Sequence, residues 1–540
     1  REEDWSASDD GYANDPRVVT VGAVGPDGRV APFSNAGACV LCAGLIANTA
    51  GEHPVYSTDR MGALGWNRNF SAADPEVGSY HAITRGGNSF TAPQIAGVAA
   101  LILGANPNLT YRDVQQVLIH ASRHYDFADP FLRPNAAGYW FSANTGYGVP
   151  DAGAAVRLAK RWKNAGALVK KSYNQNSLTE LPDDGLQLRI VASGEETVFT
   201  ASPGNGLVPD DPTEALPLVD VGRATVSLDI DLTGKAALIE RGGAFFSEKA
   251  RHAANAGAVF AVIYNHRNGN ERFILGGLDF TPIPAVFLSQ NDGTAVKALL
   301  NAAGDEGAKA AFSLDSKVVT VAVPDSLLCE QVGVRVKMTH RIRGDIRLTV
   351  RSPSGTRSVL QANVPDGSAW RGDWTFWSNQ FFYEPAKGDW TVAVSDLAKN
   401  FTGVLSGVEL TVSGRAISDT DNDGLDDDWE TARFGSLGQA ALDDPDRDGV
   451  SNAREQALHT DPATFDAHFD LRYLRLGNGS LRLAWASWRG FAYSVQSADH
   501  ALGPWTEQAV VEPGQFQTTW EAKPEAAGVR FYRVHAELKP

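Results

Sequence analysis

The sequence predicts a multidomain chain: an α/β part, a second α/β unit, a β-sandwich, an acidic loop segment and a small C-terminal β-sandwich. Three observations carry this reading. Strand-like and helix-like apolar patterns alternate up to about residue 165 and again over 180–312. From 316 to 414 the apolar period becomes two, with no helical stretch. Acidic residues then crowd between Asp419 and Glu455. The 540 residues leave room for three or four domains, or more if some are small. The boundaries read as 1–165, 180–312, 316–414, 418–462 and 466–540.

In the first part, the β-branched run Arg17–Val24 predicts a buried strand, turned by Pro26-Asp27-Gly28. The stretch Gly86-Gly87-Asn88-Ser89-Phe90 then sets a serine behind a glycine hinge at the start of a helix. From Phe90 to Ala105 only Gln94 is strongly polar, which predicts a helix buried on all sides. Gly104 and Pro107 stop it. A serine in that first turn lies among free N–H groups at the positive end of the helix dipole. This suits a nucleophile whose reaction develops negative charge, and it equally suits an N-cap serine on a core helix. Thr110 with Asp113 reads as a variant capping box for a helix from Tyr111 to about Ser122, and Asp151 caps a last helix.

A basic linker reads from Arg161 to about Lys171. Strands follow at Lys235–Arg241, Ala258–Tyr264 and Ile283–Leu288, with helices at Phe245–Ala256 and Thr294–Asn301. Asp345–Val350 and Asp389–Val394 alternate as strands, with turns at Pro353-Ser354-Gly355 and Lys387-Gly388. Short strands also read at Ser480–Trp485, Ala492–Ser497 and Arg530–Val534.

The acidic segment carries two twelve-residue loops. Asp419, Asp421, Asp423, Gly424, Leu425, Asp427 and Glu430 occupy positions 1, 3, 5, 6, 7, 9 and 12 of a calcium loop. Asp444, Asp446, Asp448, Gly449, Val450, Asn452 and Glu455 repeat the pattern. Ca²⁺ requires six to eight oxygens, and a loop turning sharply at glycine can converge them. A solvated acidic linker is the plainer reading, and two tandem matches weigh against it.

Composition narrows the partners. Lys+Arg 48 against Asp+Glu 64 gives a net charge of −16, which argues against nucleic acid or an anionic membrane. The longest apolar run, around Ala96–Leu103, is too short to span a bilayer, so a soluble product is expected. The chain begins with Arg1 and shows no signal peptide, so secretion is inferred from the modules alone. Three cysteines are too few for a disulfide scaffold. Cys39 and Cys42 have C-x-x-C spacing without a second pair or a thioredoxin-like context, so a structural role is expected.

The serine stretch resembles the nucleophile region of subtilisin-like serine peptidases, Gly-Thr-Ser-x-x-x-Pro-x-x-Ala-Gly. Ser89, Pro93 and Ala96-Gly97 take the matching places, and Asn88 departs from the threonine. Ala105–Gln115, and the segments Asn135–Tyr139, Tyr147-Gly148 and Asp151-Ala152-Gly153, are similar to the kexin and furin branch. The resemblance implies that Ser89 is the catalytic nucleophile. Arg1–Asp4 and Asp10–Asn14 resemble a convertase stretch that follows the oxyanion-hole asparagine. The triad order Asp, His, Ser then puts the other two members upstream of Arg1. No segment here could replace them, and His81 stands in the wrong order. The expectation is a chain inactive alone, from a protein active when complete.

The same resemblance implies that Asp10 lines a pocket for a basic side chain before the scissile bond; a turn aspartate before glycine reads equally well. Asp4 matches a calcium position of convertases, and Asn35 replaces the glutamate of that site. Residues 180–312 resemble the protease-associated (PA) domain, which implies guidance of substrates or partners and no catalytic group. Residues 316–414 resemble the P domain of proprotein convertases through Asp373-Trp374-Thr375-Phe376 and Gly388-Asp389-Trp390. That domain implies a sandwich packed beside the catalytic part and stabilising it. The acidic loops resemble thrombospondin type 3 or dockerin-like repeats. Residues 466–540 look like C-terminal modules of secreted bacterial proteins, and their own role is not readable from the sequence; contact with extracellular matrix or a surface would run through the C-terminal modules together. Together these imply a secreted, calcium-binding serine endopeptidase of the subtilisin/kexin type acting on proteins or peptides. The competing reading is a non-catalytic calcium-binding adhesion or scaffold protein.

Overall fold

The structure is a computed structural model. It describes residues 6–46, 55–60, 64, 80–83, 87–126, 129–208, 213–278, 281–362, 364, 366–448, 450–464, 471–475, 480–486, 491–500, 503–513, 517–522 and 530–538. Asp4 and Gly449 therefore lie outside the described residues, as does the side chain of His81.

In the first part, β1 (Thr20–Val24) pairs in parallel with β2 (Val40–Leu45), with Ala23 opposite Gly44. The β-branched run enters the sheet only at Thr20. Helices α1 (Thr91–Ala105) and α2 (Tyr111–Ala121) pack on this pair, and α3 (Ala152–Arg161) packs on those two helices. The caps form as the local sequence dictates. The Thr110 hydroxyl accepts the Asp113 amide at 3.3 Å, and the Asp113 carboxylate accepts the Thr110 amide at 2.7 Å. Asp151 accepts the Ala154 amide at 2.6 Å.

One expectation fails here. α1 is not buried on all sides: Thr91, Ile95 and Ile102 face the core, while Leu101 and Leu103 are 53% and 41% exposed. All-round apolarity records composition, not which side meets a neighbour, and the described elements pack against one side only. The apolar stretch is also longer than it reads. Asn88–Ala105 is a continuous helical run of 18 residues with hydropathy 1.2, sufficient in length and composition alone to cross a bilayer. Its packing against β1, β2, α2 and α3 is that of a helix in a folded domain.

A second correction concerns the end of the basic linker, which is irregular backbone over 162–168. Val169–Glu180 is a strand, paired antiparallel with Val404–Ala416 at the edge of the later sandwich. Its exposed polar face hides the alternation, and Val169 and Tyr173 supply the packing against the core.

The second unit is an eight-stranded sheet. Its centre is four parallel strands in chain order: Leu216–Asp220, Ala236–Glu240, Phe260–Tyr264 and Ala285–Leu288. Helix α4 (Phe246–Asn255) packs with the core cluster on one face and α5 (Gln290–Ala303) with the cluster on the other.

The sandwich comprises two four-stranded sheets. One holds Lys317–Val323, Gly388–Asp396, Ile346–Arg351 and Arg357–Gln361; the other holds Thr375–Ser378, Leu327–Thr339, Val404–Ala416 and Val169–Glu180. Trp390 fills the space between them fully buried, its indole N–H donated to Ala386 O at 2.8 Å.

The first part and the sandwich are joined by polar anchors. Asn135 donates to the carbonyls of Gln380 and Phe382 at 3.0 and 2.8 Å. The Tyr147 hydroxyl donates to Asn379 O at 2.6 Å, and the Asn14 amide to Thr375 O at 2.6 Å. Buried polar groups stay in place only when so paired. All of this lies in one compact unit, Arg1–Ala416.

The second compact unit, Ile417–Pro540, carries the acidic loops with α6 (Asp427–Phe434) and α7 (Asn452–Leu458). It also holds two three-stranded sheets, one of Arg472–Arg475, Leu481–Ala486 and Gln517–Ala522, the other of Thr506–Val511, Phe491–Ala498 and Phe531–Leu538. Leu483, Trp485, Tyr493 and Val495 form the buried core there.

Candidate active site and metal loops

Ser89 stands in the 3-10 turn Asn88–Phe90 that leads into α1, and it is exposed. The N-cap of that turn is Gly87 and the N-cap of α1 is Phe90, neither with a side-chain cap bond. The serine is thus not spent as a helix cap, and among the described residues its hydroxyl makes no hydrogen bond. Its neighbours are fixed firmly. The Asn88 amide donates to Val21 O and Ser34 Oγ, both at 3.2 Å, tying the turn to β1. The residue that departs from the family threonine is therefore a brace. Gln94 donates to Leu45 O at 2.7 Å and accepts from Leu45 N at 3.2 Å, pinning α1 to the end of β2. Strand β2 and α1 approach so closely that a Cβ on Gly44 would sit 2.8 Å from the Thr91 Cβ. Among the described residues, no histidine or carboxylate is bonded to Ser89.

Asp10 is exposed, and its Oδ1 accepts the amides of Tyr12 and Ala13 at 2.9 and 2.8 Å. It is a turn aspartate, and it also lines a cavity of about 610 Å³ between the first part and the sandwich, together with Asn35 and Asn88. Sequence reasoning missed the residues behind this cavity. Arg343 reaches across from the sandwich to bond Asp9 and, at 2.9 Å, Asp366. Burial raises the Asp9 carboxyl above its usual range, and Arg343 offsets only part of this. No short-range pattern could pair residues so far apart in the chain.

Cys39 and Cys42 lie on β2 and its approach, both buried and unlinked. Burial pushes the thiols up to about 11 and about 12, so neither is a reactive thiolate near neutral pH. The structural reading of the pair is the one that fits.

In the acidic segment both loops fold alike. Asn422 and Arg447, each at position 4, take left-handed backbone with φ of 63° and 61°, and Gly424 turns at φ 95°. The Asp427 amide bonds Ser418 O at 2.8 Å, and the Asn452 amide bonds Asp443 O at 2.9 Å, closing each loop at the same place. Among the described residues, carboxylate oxygens converge in three groups: Asp419, Asp421 and Asp427; Asp421, Asp423 and Glu430; Asp444, Asp446 and Asp448. Glu430 and Glu455 are fully buried. Among the described residues neither Glu430 oxygen has a hydrogen-bond partner, nor does the Asn452 side-chain oxygen. Burial, then the charges of Asp423 and Asp421, raise the Glu430 carboxyl to about 7; the Gln439 amide opposes this without reaching hydrogen-bond geometry. A buried carboxylate left without a donor among other carboxylates is costly unless a cation meets it. The donor set, all hard oxygen, fits Ca²⁺.

Comparison with known proteins follows the same division. Residues 2–150 match the subtilase family, 194–296 the PA domain and 329–412 the proprotein convertase P-domain. Segment by segment, the chain resembles a kexin-like subtilisin-family peptidase with PA and P domains. It is 30% identical over 163 residues to Furin-like protease 1, isoform 1-CRR, of Drosophila melanogaster, covering 30% of this chain and 13% of that protein. Kexin of Candida albicans is 32% identical over 159 residues (29% and 15%), and neuroendocrine convertase 2 of Homo sapiens 33% over 156 residues (28% and 22%). The chain thus spans 13–22% of the length of these relatives. Among solved structures, a serine protease of Aeromonas sobria is 17% identical, with 73% of this chain and 57% of that one covered at a TM-score of 0.41.

Proposed function

We propose that this protein is a secreted serine endopeptidase of the kexin type, acting on protein or peptide substrates, with Ser89 as its nucleophile. The observation that carries the reading is an exposed serine whose hydroxyl makes no hydrogen bond among the described residues, held by Asn88 and Gln94 at the mouth of α1 within the subtilase segment. Ser89 Oγ attacks the substrate carbonyl, and free N–H groups at the helix start face the negative charge that develops. The proton of Ser89 must pass to a histidine held by an aspartate. Asp10, on the cavity beside Asn88, receives the basic side chain that precedes the cleaved bond. The exposed position of its carboxylate supports this, because a cationic side chain can reach it from solvent.

The two loops hold Ca²⁺ through Asp419, Asp421, Asp423, the Leu425 carbonyl, Asp427 and Glu430, and through Asp444, Asp446, Asp448, the Val450 carbonyl, Asn452 and Glu455. The ion supplies charge neutralisation and a centre around which these residues fold. The unmatched oxygens of Glu430 support this reading. Peptide hydrolysis by the natural full-length protein, lost in Ser89→Ala, is the test. Hydrolysis absent from both, with calcium binding intact, would favour the adhesion or scaffold reading.

A further inference from the structure

Resting on the calcium reading above, we infer that the two loops bind their ions with positive cooperativity, and that Gln456 is the positioning residue that couples them. Gln456 follows directly on Glu455, the position-12 carboxylate of the second loop. Its side chain is 2% exposed and points back into the first loop. There its Oε1 accepts the Asp426 amide at 2.6 Å, and its Nε2 donates to Gly424 O at 3.4 Å. Those are the peptide groups on either side of Leu425, the residue whose carbonyl is the position-7 ligand. One side-chain amide therefore clamps the backbone that aims a ligand in the first loop while its own backbone adjoins a ligand of the second.

An ion drawing Glu455 into place fixes the start of α7, and Gln456 then holds the Leu425 carbonyl ready for the other ion. Part of the ordering cost of the first loop has by then been met, which is what positive coupling requires. By linkage the effect runs equally in the other direction. Thr431, the corresponding residue of the first loop, is exposed and makes no such bridge among the described residues. A glutamine used only for packing would leave the two affinities independent.

The test is a calcium titration of the full chain by calorimetry, with Gln456→Met as the variant of matched length. The wild type should bind two ions with a Hill coefficient above 1. Glu455→Gln should weaken binding at the first loop by roughly 5-fold or more, the lower range of typical coupling factors. In the Gln456→Met background both loops should still bind, the Hill coefficient should fall to about 1, and Glu455→Gln should no longer affect the first loop. The melting temperature in chelator reports separately whether Gln456→Met disturbs the apo fold. If that variant does not fold, the wild-type isotherm and the Glu455→Gln effect decide the matter. Two saturable, independent sites in the wild type would overturn the coupling and leave the calcium reading intact. No saturable binding at either loop would overturn the calcium reading itself.

Discussion

Arg112 of α2 and Glu330 of the P domain form a two-pronged ion pair across the junction of the subtilase segment and the sandwich. Nε donates to one carboxylate oxygen at 2.8 Å and Nη2 to the other, while Nη1 donates to Gly166 O at 2.7 Å. The side chains are 9% and 14% exposed. Removing one partner of such a pair leaves a buried charge uncompensated, at a cost of about 3–5 kcal/mol. Arg112→Met should therefore lower the stability of the Arg1–Ala416 unit by about 3 kcal/mol in a denaturant titration. The double variant Arg112→Met, Glu330→Met should recover most of that. Equal stability of the single variant and wild type would show the pair to be idle.

A second prediction concerns pH. Asp345 is raised to about 6, first by burial and then by the charge of Asp396. A raised carboxyl favours its neutral form in the folded state, so its contribution is greatest below the unfolded value near 4 and declines as pH rises to about 6. Burial would lower His340, but its 3.1 Å bond to Asp396 and its contact with Ile342 O raise it overall. Its contribution is full below the unfolded value near 6.5 and is lost as pH rises through the folded one. Both groups thus favour the P domain in mild acid. Asp345→Asn should be neutral at pH 4 and stabilising above pH 6, and His340→Gln should flatten the remaining slope. An Asp345→Asn effect independent of pH would refute the assignment.

Calcium binding should depend on particular carboxylates, not on net acidity. Glu430→Gln with Glu455→Gln should weaken binding about tenfold or more, the loss of charge-assisted contacts of about 1.5–3 kcal/mol. Asp426→Asn with Asp443→Asn should change it far less. Asp426 caps α6 at Trp429 N, and Asp443 accepts the Ala440 amide; both fall outside the ligand positions. Equal effects from the two pairs would reduce the loops to an acidic linker.

Specificity gives a fourth prediction. Asp10→Ala in the full-length protein should reduce the preference for arginine or lysine over leucine before the cleaved bond by roughly 100-fold. The fold should lose only about 1 kcal/mol, the worth of its two amide bonds in the turn. A peptide-library profile favouring large apolar residues in the wild type would contradict the role given to Asp10.

Much of this was legible because it is local. The Thr110–Asp113 box and the Asp151 cap depend on residues three apart, and the parallel strands of the PA domain read as short apolar runs. The serine stretch and the two acidic loops announced themselves by spacing. What escaped was contact between distant parts. Nothing near Val169–Glu180 signals that a polar stretch pairs with Val404–Ala416. Nothing near Asp9 signals Arg343, and nothing near Leu425 signals Gln456. The exposed side of α1 escaped for a related reason: composition describes a helix but not its neighbours.

The central claim is that Ser89 is a peptidase nucleophile, and one measurement tests it directly. Turnover of an arginine-containing fluorogenic peptide should be compared between the natural full-length protein and its Ser89→Ala variant in millimolar calcium. In subtilisin, loss of the nucleophile costs about 10⁶-fold in turnover. A fall of that order, with an unchanged melting temperature, is the expected result. Retention of wild-type turnover by Ser89→Ala would remove Ser89 from the mechanism.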